Sequence, residues 1–181
     1  VPGPMWDVAY WEVVDDRPSM LSLPDGVAFP LRDGQRWAID FHLLNPFDKP
    51  VRTNGGFNLG LVPAEEVEVW AGVGMFDSAP FELPQGQSIL SFDCDFDHQV
   101  TIQNIQPHMH DYGAEFLVQV VRGDGTVEDV LRVENWEPWM KTDIPFYYFD
   151  PGTLVVEAGD ALRTVCRWDN PTGQELPYPV E

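Results

Sequence analysis

The chain has 181 residues, of which 44% are hydrophobic, and its 30 acidic side chains against 10 basic ones give a formal net charge of −20 at pH 7. That charge argues against nucleic acid and anionic membrane surfaces as partners, since both need clustered cations, and no apolar run reaches the roughly 18 residues of a membrane-spanning helix. Seventeen prolines and fifteen glycines point to many turns and few long helices, with the seven tryptophans available for packing between sheets.

Residues 1–26 are rich in Pro, Trp and Asp without periodicity and read as an irregular leader. From Val27 the pattern is strand-like. Residues 37–44 form a plausible strand ended by Asn45-Pro46, and 57–62 a second one stopped by Pro63. Residues 66–70 alternate charged and apolar side chains, the mark of a half-buried strand. Pro84-Gln85-Gly86 is a turn, and 88–96 and 100–105 follow as strands. Asp93, Asp95 and Asp97 alternate, so on a strand they would share one face. Such crowding of like charge is costly unless solvent or a cation relieves it, and Ca²⁺ on acidic loops is one expectation.

Residues 114–121 and 127–133 pair around the tight turn Gly123-Asp124-Gly125. Residues 146–149 and 153–156 flank Asp150-Pro151-Gly152, and 160–168 is a last strand broken by Asp169-Asn170-Pro171. Strands at this spacing predict an all-β fold, an antiparallel jelly-roll-like β-sandwich over residues 27–181.

The chemistry-bearing residues are few. Of four histidines, two sit in Pro107-His108-Met109-His110. Positions i and i+2 of an extended segment point to the same face, so two imidazoles can grip one ion, and imidazole suits copper, zinc, iron and nickel. Met109 would point the other way. The alternative is two loop histidines beside Asp111. His42 lies on a different predicted strand, and His98 stands among aspartates and is expected to be solvated. There is no Gly-rich phosphate loop, no Gly-x-Ser-x-Gly and no Cys-x-x-Cys.

The order of motifs is more specific than its parts. Leu23-Pro24-Asp25-Gly26-Val27-Ala28-Phe29 comes first, then Asp40-Phe41-His42-Leu43-Leu44-Asn45, then Pro107-His108-Met109-His110-Asp111-Tyr112-Gly113. Last comes the run from Ala158-Gly159-Asp160 through Cys166-Arg167-Trp168 to Asp169-Asn170. This series resembles the copper type II, ascorbate-dependent monooxygenases, the family of peptidylglycine α-hydroxylating and dopamine β-monooxygenases and their bacterial relatives. The resemblance implies two jelly-roll-like β domains, each with a copper centre. His108 and His110 match the His-x-His pair of the oxygen-activating centre, and His42 matches the third histidine of the electron-relay centre. The expected metal residues are therefore His108, His110 and His42, with copper as the cofactor.

The sequence departs from the family in two places. The adjacent His-His pair of the relay centre would lie upstream of residue 1, and the Glu-Met-Cys methionine ligand does not occur before Glu181. The chain thus reads as the end of the first family domain joined to most of the second. The resemblance also implies an extracellular or periplasmic location, which favours a Cys94–Cys166 disulfide over two free buried thiols. Three functions follow as expectations: a copper-binding protein without turnover, a monooxygenase domain completed by another segment or partner, or a structural subunit of a surface layer or larger assembly. The partners expected are a metal ion and a protein assembly.

Overall fold

The computed structural model describes residues 21–36, 45, 47–52 and 54–178. One compact unit comprises residues 23–72, and another is built from residue 73 onward. The first contains β1 (Val27–Ala28) and β2 (Val69–Trp70), paired in parallel, and a 3₁₀ turn at Ala64–Glu66. Gly26, at φ 76°, turns the chain so that its carbonyl accepts the N–H groups of Glu68 and Val69 at 2.7 and 3.0 Å. The strand expected over 66–70 shrinks to its last two residues, both exposed. Residues 57–62, expected as a strand, lie outside every described ladder. Alternation prepares a segment for pairing, but a strand exists only where a neighbour supplies hydrogen bonds. The strand expected at 37–44 lies outside the described residues.

The second unit carries, in chain order, β3 (Phe81–Leu83), β4 (Gly86–Asp95), β5 (Val100–Ile102), β6 (Asn104–Ile105), β7 (Gly113–Val121), β8 (Val127–Val133), β9 (Tyr147–Tyr148), β10 (Leu154–Val156), β11 (Ala161–Asn170) and β12 (Leu176–Tyr178). Apart from a second 3₁₀ turn at Pro138–Lys141, its regular structure is strand. The fold is all-β, as the turn-rich composition predicts. No described helix is long and apolar enough to cross a membrane. An antiparallel sheet in the order β4-β11-β7-β8 forms the frame. The β7–β8 hairpin turns where expected: Gly125 takes φ 89°, and the Asp124 carboxylate accepts the Thr126 N–H at 2.9 Å, a side chain standing in for a backbone turn bond.

Alternation sorts the two faces of this sheet. Leu162, Thr164 and Cys166 of β11 lie opposite Val120, Val118 and Phe116 of β7, all buried, and Trp168, buried too, lies opposite Gly113. Leu83 of β3, Leu154 and Val156 of β10 and Met109 join them in one core, so short strand pairs cover the apolar face and the packing is sandwich-like. On the other face Arg163 of β11 holds Asp93 of β4 through two bonds of 2.8 Å. That contact first, and the charge of Arg163 in support, lowers the Asp93 carboxyl below the usual carboxylate range. An arginine thus relieves part of the acidic crowding. Asp97 lies past the end of β4, against His98.

The disulfide does not form. Cys94 lies opposite Leu162 and Cys166 opposite Leu90 in the β4–β11 ladder, which sets them roughly 13 Å apart along the strands, beyond the span of a disulfide. Both thiols are free, and burial pushes that of Cys166 up to about 12, so it stays protonated and inert.

Candidate metal centre

The histidine pair lies between β6 and β7, outside any ladder, yet it keeps a period of two. Pro107 and Met109 are buried, whereas His108 and His110 are only partly so. Met109 is 2% exposed and packs in the core, and its anchoring turns the neighbouring imidazoles to the opposite side. Their Nε2 atoms approach to 3.2 Å, with ring centroids 4.8 Å apart and planes at 81°. Two nitrogens each about 2.0 Å from one tetrahedral ion lie about 3.3 Å apart. The pair as it stands fits a single ion of that size. Without an ion, one ring's Nε2–H donates to the other's lone pair.

Distant segments hold this arrangement. The His110 backbone N–H donates to the Tyr178 hydroxyl at 2.8 Å, and the two rings meet nearly edge-on at 5.8 Å. Tyr178, on β12, is itself stacked on Phe81 at 4.6 Å and meets Trp168 at 5.3 Å. After His110 the chain turns sharply. Tyr112 sits at φ 66°, the one non-glycine residue in the left-handed region among those described. A bulky side chain there is strained, and the Asp169 N–H bonded to its carbonyl at 2.9 Å helps hold it. Asp111 faces Lys141 at 2.8 Å. A cavity of about 240 Å³ opens beside His110, walled by Asp111, Tyr112, Gly113, Trp136 and Pro138.

Gly113 is required by contact. A Cβ there would lie 2.7 Å from Trp136 Cδ1 and 3.0 Å from Met109 Cε, and the indole is too rigid to yield. Gly113→Ala is expected to lower stability by about 1–3 kcal/mol through overpacking, read from urea unfolding, and to change Trp136 fluorescence. Wild-type stability with an unchanged spectrum would show that the ring moves freely.

Burial, and secondly the neighbouring His110, pushes His108 down to about 4, so its imidazole is neutral near pH 7, the form that binds metals. Burial raises the Tyr178 hydroxyl, which therefore stays protonated. The Nδ1 atom of His110 is buried without a hydrogen-bond partner among the described residues.

Of the residues expected to bind metal, His108 and His110 come together, and His42 lies outside the described residues. Among the described residues no group of three or more His, Cys, Asp and Glu side chains could hold an ion. His98 is exposed against Asp97, as its acidic surroundings predict. Of the methionines, Met109 belongs to the core, Met140 packs against it and Met75 is exposed. Sequence reasoning missed Tyr178 and Trp136, because nothing local announces a contact across 68 residues. No family model, curated protein or solved structure matches the chain.

Proposed function

We propose that this chain is an extracytoplasmic copper-binding protein, built on a jelly-roll sandwich related to the copper monooxygenases, whose ion is held by His108 and His110. The observation that carries this reading is the 3.2 Å approach of two Nε2 atoms on imidazoles of which one, His108, is neutral at physiological pH. Two neutral imidazoles suit copper in either oxidation state and also zinc. His42 is the expected third imidazole, and solvent or a further donor would complete the shell. When bound, copper would supply one-electron chemistry. The chain's own part is to hold two lone pairs convergent, with Tyr178 fixing the backbone of His110 and Met109 anchoring the segment.

Metal analysis by mass spectrometry tests this. Protein purified without added metal, or reconstituted with copper, is expected to carry about one copper per chain, and His108→Ala/His110→Ala to lose it. Retention of copper by the double variant, or zinc in its place in the wild type, would overturn the assignment.

A further inference from the structure

The cavity beside His110, of about 240 Å³, plays no part in holding a metal ion. Its size bounds what it can take. An apolar cavity of about 150 Å³ holds one benzene, and drug-sized pockets begin at about 300 Å³. One six-membered ring with a short substituent fits between these limits.

The walls are formed before any ligand arrives. Trp136 is buried, and its backbone N–H donates to the Ala114 carbonyl at 3.0 Å. Tyr112 stands at φ 66° with its carbonyl bonded to the Asp169 N–H. The Lys141 ammonium donates to Asp111 Oδ1 at 2.8 Å, which ties the 3₁₀ turn at Pro138–Lys141 to the loop after His110. Little ordering is then left for binding to cost.

The chemistry of the walls narrows the class. Trp136 and Pro138 supply apolar ring surface, and an aromatic ring packed on an indole gains more than its buried area alone gives. Asp111 brings a negative charge to the wall, and Lys141 balances it. An anion would meet the carboxylate on a chain of net charge −20, and a cation would meet the Lys141 ammonium. Lys141 occupies Oδ1, whereas a carboxylate accepts at both oxygens, so a neutral ligand's N–H or O–H has an acceptor within the cavity.

We propose that this cavity binds a small neutral aromatic molecule carrying a hydrogen-bond donor, with its ring against Trp136 and Pro138 and its donor on Asp111. The inference is independent of the metal reading.

Benzamide, benzoate and benzamidine share one planar shape and differ in charge. Isothermal titration calorimetry of the full chain compares them at neutral pH in a chelator, so that bound copper plays no part. Benzamide is expected to bind with a dissociation constant below about 1 mM, at least tenfold tighter than either charged analogue. Cyclohexanecarboxamide, which keeps the amide but is not flat, should bind at least threefold more weakly than benzamide. Pro138 is exposed, and Pro138→Phe fills the mouth of the cavity. That variant should weaken benzamide at least tenfold while its urea midpoint stays at the wild-type value. Lys141→Met uncovers the Asp111 charge and should make benzamidine the tightest of the three. The proposal is overturned if benzamide does not bind, if a charged analogue or the cyclohexane amide binds the wild type as well, or if Pro138→Phe binds benzamide like the wild type. Lys141→Met protein that keeps the wild-type order of the three overturns it too, since Asp111 would then lie outside the site.

Discussion

In metal-free protein the free energy of unfolding is expected to rise by about 3 kcal/mol between pH 4 and pH 6.5 on account of His108 alone. Burial first, and the adjacent His110 second, holds its imidazole down at about 4, against an ordinary value near 6.5. Between those limits the unfolded chain binds a proton that the folded chain refuses, so raising the pH favours the folded state. The contribution is fully present above the unfolded value and is lost as pH falls through the folded one. Asp93 and Asp160 are held below the usual range by hydrogen bonds and arginine partners, so their contribution disappears at lower pH. Urea unfolding in a chelator, wild type beside His108→Gln, reads the effect as a difference in slope. Equal slopes would mean that His108 is solvated and titrates normally.

Asn170→Ala is expected to cost about 3 kcal/mol or more, as several buried polar groups lose their partner together. The residue is fully buried. Its side-chain amide donates toward the carbonyls of Leu83, Pro84 and Gln174 at 3.3, 3.1 and 2.9 Å. Its Oδ1 accepts from the backbone N–H and the hydroxyl of Thr172 at 3.1 and 2.7 Å. It thereby joins the β3–β4 turn, the end of β11 and the turn into β12, the strand that carries Tyr178. Asn170→Asp is nearly isosteric but turns an acceptor toward three carbonyl oxygens, and should be at least as damaging at neutral pH. Chemical denaturation gives the stability loss; on the copper reading proposed above, copper retention per folded chain should weaken with it. A stable Asn170→Asp protein would show that shape, not donation, is what the site needs.

How far the fold was legible follows from the range of the forces involved. β8 falls on residues 127–133 as expected, and β7 and β11 differ from expectation by one or two residues at their ends, because alternation and turn residues act within a few positions. The same local rule carries the histidine pair: Pro107-His108-Met109-His110 keeps a period of two even outside a ladder, since Met109 has a core to enter. Where an element depends on a neighbour, local pattern failed. Residues 57–62 alternate as well as any strand here yet have no described ladder to join, and β3 and β12 are three residues each, too short to signal before they meet.

Long-range packing settled the rest. The Cys94–Cys166 bridge is excluded by register, a property of how β4 and β11 align that neither strand carries alone. Asp169-Asn170-Pro171 reads locally as a strand breaker, and only burial against two turns makes Asn170 a clamp. Tyr178 reaches His110 across 68 residues, and the low proton affinity of His108 arises from what surrounds it. Periodicity and turn chemistry are written in neighbouring residues, whereas register, desolvation and the partners of buried polar groups exist only once distant strands have closed on one another.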